Sequence, residues 1–528
     1  MGQYLDKGNN SFRSAVKMDY VDKTGLLSFV NSRIDTKKKL ICFTRPRRFG
    51  KTYSAQMLCA YYDKSCRSEG LFNGLCIHDA PDFKDYLNKY DVIYIDVSLF
   101  VSRVKNINGN IKNIVSNIQS EVISEVLGKY PQTEKKETLY DTLYSAVKFT
   151  ENRFIIIIDE WDALFREAKD DIDLQEEYIQ LLRGLFKSSL TDDIIACAYM
   201  TGILPIKKYG TQSALTDFKE YTMLRPTPLE EYVGFTEQDV RELCKDSKIK
   251  FEDIQKWYDG YVLGDGIHIY SPRSVMEAIE YGRLDSYWTQ TETYESLKFY
   301  IEMDFNGLRE DITQMLSGQS CPINIGSFQN DMTNIKRKDD VLTLLVHLGY
   351  LSYNSNTQTV SIPNEEIKRE FVMTLEEGKY SEIIRVIRNS EQLLKDTLSM
   401  NSEAVAQAIE EAHDSGTTPL FYNNEQALRS VVRLAYICCE DGYVRFEEFP
   451  SGKGFVDIAF IPINKPHKPI IIIELKWNKA AASTIEQIKQ RNYPTIFKKY
   501  ENDILLVGIT YDEKTKKHSC VIKMHNSK

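Results

Sequence analysis

Apolar runs and charged turns alternate along this chain, and the period of alternation changes from one third to the next. KKLICFT (38–44) is short, β-rich and apolar, and reads as a buried strand. The segment after it, YSAQMLCAYYD (53–63), repeats its apolar residues at helical spacing. FIIIIDEWDALF (154–165) opens on a run of β-formers and then turns to acids, the pattern of a central parallel strand. DVIYIDVS (91–98) and DIIACAYMTGIL (193–204) supply two more strands for the same sheet. The first part of the chain is therefore expected to be an α/β layer built on a parallel sheet.

The middle reads differently. TPLEEYVGFTEQDVRELCKDS (227–247) places an apolar turn before Thr236, which caps a helix with acids in its first turn, and this predicts the start of a helical lid. Residues 251–279 alternate helix and glycine turns. DDVLTLLVHLGYL predicts a helix, LSYNSNTQTVSIP a hairpin, and a second helix follows, capped near Asn364 with Glu365 and Glu366 in its first turn. Helix, wing and helix is a winged-helix pattern. The wing carries no Lys or Arg, so a mechanical adapter is favoured over a DNA reader. His347 falls on an apolar helix face and is expected to be a core histidine. Residues 377–412 are helical and charged and lead to a last β-rich region, where GFVDIAFIP (454–462) and PIIIIELKWNKA (469–480) suit a hairpin. The expected architecture is α/β and multidomain: a phosphate-loop ATPase sheet over 1–228, a helical lid over 229–295, a winged-helix-like domain over 296–385, and a restriction-endonuclease-like α/β domain over 386–528.

Composition narrows the partners. The 528 residues are 42% apolar and 27% charged, as in ordinary soluble proteins, and the net charge of −9 gives no global field towards nucleic acid or anionic lipid. Any nucleic-acid contact must come from a local patch. The chain opens without the apolar core of a signal peptide, and the apolar run at 154–158 is far too short to span a bilayer. Ten cysteines without a CxxC are expected to be reduced thiols, mostly small buried apolar side chains, in a cytoplasmic protein.

Two stretches carry chemistry. FTRPRRFGKT (43–52) ends as a phosphate-binding loop does, in Gly50-Lys51-Thr52, between a strand and a helix. Its entrance departs from GxxxxGK[ST], with Arg45 in the place of the first glycine. In such a loop backbone N–H groups and the helix dipole hold phosphates. Gly50 lets the backbone come close, Lys51 reaches the β and γ phosphates, and Thr52 offers its hydroxyl to Mg²⁺. Asp159, at the carboxyl end of the apolar run, would hold the Mg²⁺ shell, and Glu160 would orient or deprotonate a water. A helix N-cap is the alternative for that acid pair. Thr201 is either a sensor beside the γ-phosphate or a turn residue. In the last region strand alternation puts Glu474 and Lys476 on one face, and the adjacent strand brings Asp457 to them. Paired carboxylates suit Mg²⁺, and the lysine would position water or stabilise phosphate charge. An inter-strand salt bridge is the other reading. The following helix carries Gln487 and Lys489 close to that site.

The set YVDKT (20–24), FTRPRRFGKT, IIIIDEWD (155–162), MTGIL (200–204) and WYDGY (257–261) resembles the successive motifs of bacterial AAA-ATPase-like proteins that end in a PD-(D/E)XK nuclease domain. The resemblance spans almost the whole chain. It implies that Arg45 is the family's own form of the loop and that Arg47 or Arg48 pairs with phosphate, although packing on nearby carboxylates is equally compatible with them. It marks WYDGY as a signature whose aromatics, on the residues alone, read as packing. It implies D…ExK chemistry for Asp457, Glu474 and Lys476, with Gln487 at the family's spacing and Glu425 as the helical acid and a further metal ligand. The function implied is an ATPase whose nucleotide state controls a Mg²⁺-dependent (or Mn²⁺-dependent) DNA endonuclease, in the cytoplasm, without a membrane, and in a homo-oligomer. The competing expectation is a signalling or scaffold ATPase that oligomerises on nucleotide and keeps a non-cleaving nuclease-like domain.

Overall fold

A computed structural model describes residues 2–18, 20–106, 110–206, 208–209, 212–288, 293–302, 305, 307–329, 335–377, 381–416, 425–436, 439, 443–451, 454–462, 468–479 and 503–525. The chain divides into two compact units, residues 1–296 with 322–369, and residues 297–321 with 370–528.

The first unit is built on a five-stranded parallel sheet. Its order is Asp91–Asp96, Phe154–Asp159, Ile195–Gly202, Leu40–Thr44, Lys219–Tyr221. Leu40–Thr44, Phe154–Asp159 and Ile195–Gly202 are buried along their whole length, because helices cover both faces. That burial explains why these strands read as continuous apolar runs rather than as alternating ones. The order matters for chemistry: Ile195–Gly202 lies between the strand that feeds the phosphate-type loop and the strand that ends in Asp159. The outer edge at Asp91–Asp96 is covered by the N-terminal segment, where Tyr94 N–H donates to Tyr4 O at 2.8 Å and Asp6 N–H to Val92 O at 2.9 Å.

The same unit carries a small antiparallel sheet of Phe235–Thr236, Ile267–Tyr270 and Tyr261–Leu263. Helices Glu237–Cys244, Phe251–Tyr258 and Pro272–Tyr281 pack with it. Thr236 caps the first of these in a reciprocal pair with Asp239. The helix Lys338–Leu348, the hairpin of Ser352–Asn354 with Thr359–Ser361, and a helix starting at Glu365 complete the unit. Asn364 Oδ1 accepts from Ile367 N at 3.0 Å and caps that last helix. His347 is buried in Lys338–Leu348.

The second unit is a mixed five-stranded sheet in the order Tyr443–Ser451, Gly454–Pro462, Ile470–Trp477, Ile504–Asp512, Lys517–His525. Only the pair Ile470–Trp477 and Ile504–Asp512 is parallel; the other three are antiparallel. Helices Ser381–Leu398, Ser402–Gly416 and Glu425–Ala435 share one core with one face of this sheet, through Leu393, Val405, Leu428 and Val432 against Ile471, Ile473 and Leu505. Among the described residues no helix is long and apolar enough to cross a membrane.

Candidate nucleotide and nuclease sites

Residues 45–50 leave the sheet between Leu40–Thr44 and the helix Lys51–Tyr62. Gly50 has φ +95° and open space where a Cβ would stand, so the turn into the helix needs glycine for its backbone angle rather than for room. Arg48 also sits at positive φ, +68°. Lys51 is buried, with its Nζ donating to Pro46 O at 2.9 Å and lying 3.6 Å from Glu160 Oε1. Across the intervening strand, Thr201 Oγ1 donates to Asp159 Oδ1 in a short hydrogen bond. Tyr94 OH donates to Asp159 Oδ2 at 3.0 Å, and Glu160 N–H to Asp159 Oδ1 at 3.1 Å. Lys51, Asp159, Glu160 and Thr201, on three parallel strands and their loops, therefore meet at one end of the sheet.

Environment separates the two acids. Burial pushes the Asp159 carboxyl above its usual range, although hydrogen bonds from Thr201 and Thr52 pull the other way. Glu160 is also raised by burial, but Lys51, Arg166 and Arg47 outweigh that and hold it below the usual carboxylate range. Arg166 reaches both Glu160 Oε2 and Asp162 Oδ2, the latter at 3.2 Å. Asp162 in turn accepts from the backbone of Leu204 at 2.9 Å. Glu160 is thus an ionised carboxylate fixed in place, at the positive φ of +51°.

The arginines of the loop take three separate positions. Arg45 is fully buried, stacked 4.4 Å over the Phe43 ring and donating to Thr44 O at 3.0 Å. Its Nε and Nη2 have no hydrogen-bond partner among the described residues, and burial lowers its pKa to about 10. Arg47 lies near enough to Glu160 to lower its pKa. Arg48 turns to the segment Tyr287–Trp288, where its Nη1 donates to Tyr287 O at 2.5 Å. Arg273 pairs with Glu277 on its own helix at 3.1 Å.

The loop is gripped from the other side. Phe49 meets the Tyr261 ring edge-on at 5.3 Å, and Tyr261 OH donates to Gly349 O at 2.5 Å. Gly349 ends the helix Lys338–Leu348 at φ +92°, and a Cβ there would stand 2.7 Å from Pro46 Cβ. Trp288 Nε1 donates to Arg47 O at 3.3 Å. Glu366 accepts from Tyr287 N, Trp288 N and Ser274 Oγ at 2.8–2.9 Å. WYDGY therefore does more than fill a core. Tyr258 OH donates to Asp285 O at 2.9 Å, while Tyr261 joins the phosphate-type loop to the helix end at Gly349.

The second constellation lies on Gly454–Pro462 and Ile470–Trp477. One step beyond the paired residues Ile458 and Ile473, the antiparallel register runs Asp457 alongside Glu474. Leu475 N–H donates to Asp457 Oδ2 at 2.8 Å. Lys476 Nζ lies 3.3 Å from Glu474 Oε1 and donates to Leu475 O at 2.8 Å. All three side chains are buried or nearly so. Arg429, on the helix Glu425–Ala435, donates to Asp457 Oδ1 at 2.7 Å. Sequence reasoning missed Arg429. The signal was its place four residues after Glu425, on the same face of a strongly amphipathic helix. Glu425 is placed only as the first residue of that helix, and its side chain lies outside the description, as do Gln487 and Lys489.

Residues 8–211 match the family model described as Predicted AAA-ATPase, and residues 423–520 match that of the PD-(D/E)XK nuclease superfamily. The chain joins an AAA-ATPase-like domain to a C-terminal PD-(D/E)XK nuclease-superfamily domain. The phosphate-type loop and Asp159 fall inside the first match, and Arg429, Asp457, Glu474 and Lys476 fall inside the second. The solved structure "Structure of the Aeropyrum Pernix ORC2 protein (ADPNP-ADP complexes)" aligns over 71% of this chain and 98% of its own at 13% identity, with a TM-score of 0.31, too low to carry an argument. No curated protein matches.

Proposed function

We propose that ATP, bound and hydrolysed by the AAA-ATPase-like domain, controls Mg²⁺-dependent cleavage of DNA by the nuclease-like domain. The observation that carries this reading is the meeting of Lys51, Glu160, Asp159 and Thr201 at one end of a parallel sheet. A lysine beside a glycine turn and a buried acid under a polar strand end are what a nucleotide triphosphate with Mg²⁺ requires. Lys51 would leave Pro46 O for the phosphates. Gly50 and the start of the helix Lys51–Tyr62 would offer backbone N–H groups. Thr52 and Asp159 form an oxygen-only set that fits Mg²⁺. Glu160, ionised and pinned by Arg166, is better suited to orient a water than to carry off its proton. Arg47 is the better placed of the loop arginines for phosphate, since Arg48 is engaged with Tyr287.

In the nuclease-like domain, Asp457 and Glu474 are hard oxygen donors that fit Mg²⁺ or Mn²⁺. Among the described residues no group of three or more His, Cys, Asp or Glu completes a cage, so water and a substrate phosphate would fill the shell. The bound metal would supply Lewis acidity and an activated water. Lys476 would steady charge on the phosphate. The helix–hairpin–helix that grips the phosphate-type loop acts in this reading as an adapter of winged-helix type, with boundaries near 229–295 for the lid and 296–385 for the adapter. The assembly is a cytoplasmic homo-oligomer without a membrane partner.

A second reading has one observation in its favour. Each acid of the nuclease-like site has a cation of the chain beside it, as in a purely structural ion-pair cluster. A nucleotide-driven scaffold with a non-cleaving domain would look like this. Incubation of the full chain with plasmid, linear and single-stranded DNA, with and without ATP and Mg²⁺ or Mn²⁺, tests the two. Metal-dependent cleavage that responds to ATP supports the first; ATP-driven assembly seen by sizing chromatography without any cleavage supports the second.

A further inference from the structure

Among the described residues, the four charged side chains of the nuclease-like site balance one another. Asp457 and Glu474 contribute two negative charges; Arg429, at 2.7 Å from Asp457 Oδ1, and Lys476, at 3.3 Å from Glu474 Oε1, contribute two positive ones. Leu475 N–H holds the second oxygen of Asp457. A divalent cation arriving alone would meet carboxylates already compensated and a guanidinium on one of its ligand oxygens. In a partly buried site such a cation–cation encounter is poorly screened. We infer that Arg429 is a positioning residue that competes with the metal for Asp457, and that it is released by a phosphodiester, so that metal and nucleic acid bind together rather than in sequence. This rests on the nuclease reading of the site.

The chemistry of the exchange is local. Arg429 carries a planar fork of donors that suits a phosphate as well as a carboxylate. A phosphodiester brought to the site adds a negative charge and two anionic oxygen positions. Arg429 can move its donors to that phosphate, and Asp457 Oδ1 then faces the cation. Lys476, whose Nζ is also anchored on Leu475 O, adds its charge beside the phosphate without leaving Glu474. The guanidinium thus keeps metal occupancy low on the free protein and contributes a phosphate contact once DNA is present. No bond is made or broken in this step; only ion pairs are exchanged.

The test is Mn²⁺ binding to the full, nucleotide-free chain, read by electron paramagnetic resonance of the free ion, with Asp457→Asn isolating the component that belongs to this site. Arg429→Gln should bind Mn²⁺ about tenfold more tightly than the unsubstituted protein in the absence of DNA, the effect of removing one adjacent charge at an intermediate effective dielectric. Arg429→Lys, which keeps the charge, should bind nearly as weakly as the unsubstituted protein. Addition of a short DNA duplex should tighten Mn²⁺ binding to the unsubstituted protein by a larger factor than to Arg429→Gln. The duplex arm needs no variant, so a lack of response there overturns the exchange even if Arg429→Gln does not fold, and Arg429→Lys serves as the second variant. Asp457-dependent binding that is equally tight in Arg429→Gln and the unsubstituted protein, or unresponsive to the duplex, overturns the exchange while leaving the nuclease reading intact. Mn²⁺ binding indifferent to Asp457→Asn with and without duplex overturns both.

Discussion

Single side chains decide most of the chemistry at the AAA-ATPase-like site. Lys51 is buried and its Nζ is satisfied by its own loop, so its removal should cost nucleotide binding more than folding. Lys51→Ala is expected to weaken binding of a fluorescent ATP analogue by at least about tenfold, roughly 1.4 kcal/mol, with the melting temperature nearly unchanged. Glu160→Gln should retain the analogue and lose about a hundredfold in turnover, the usual scale for a group that handles a water; steady-state ATPase and binding assays separate the two effects. In the nuclease-like domain, burial and the neighbouring His413 depress His518 to about 4, with Tyr511 packed on its ring and its backbone N–H donated to Glu410. A depressed folded value means that the neutral ring favours the folded state. Its contribution is full above the unfolded pKa of about 6.5 and is lost as pH falls towards about 4. Thermal melts of His518→Phe should therefore show a shallower loss of stability over that window than the unsubstituted chain. At this scale the placement was legible where a residue sits in a short motif on or just beyond an apolar strand run, as Lys51, Asp159, Asp457 and Glu474 do. Arg429 was not, because an arginine on an amphipathic helix looks like any solvated one until the strand carrying Asp457 is placed against it.

Elements were read most easily where burial is two-sided. The runs LICFT, FIIII and IACAYM owe their composition to helices on both faces of the sheet, and each is a strand of the AAA-ATPase-like domain. The helix–hairpin–helix over 338–377 was equally plain from its caps and its turn. What no local pattern could show is that this element closes on the phosphate-type loop. Pro46 meets Gly349 of this element through tertiary packing, while Tyr261 and Trp288, from the segment before it, meet Phe49 and Arg47, and each pair is far apart in the chain. The grip has consequences that can be measured. Tyr261→Phe removes one buried hydrogen bond and should cost about 1 kcal/mol in denaturant unfolding. Gly349→Ala adds a Cβ against Pro46 at a positive φ and should cost about 1–3 kcal/mol. Both should also raise the KM for ATP if the loop's position depends on the helix end, whereas a merely structural role would lower stability and leave KM alone.

For the whole molecule the account joins two chemistries on one chain. Glu366, which ties the Tyr287–Trp288 segment and Ser274 together, lies on the helix in which the chain leaves the first unit, after Arg369. In the proposed function, a nucleotide that moves the phosphate-type loop would be felt by this segment of chain, and a two-state response of it would bias cleavage. The order of the two domains was legible in the sequence from their motifs alone; coupling between them belongs to the proposed function. The most direct measurement is the rate of plasmid cleavage in Mg²⁺ by the unsubstituted chain, Lys51→Ala and Lys476→Ala, each with and without ATP. The account predicts cleavage by the unsubstituted chain that changes at least about tenfold on adding ATP, a Lys51→Ala rate that ignores ATP, and no cleavage by Lys476→Ala, consistent with coupling energies of a few kcal/mol. Equal rates with and without ATP in the unsubstituted chain, or undiminished cutting by Lys476→Ala, would contradict it.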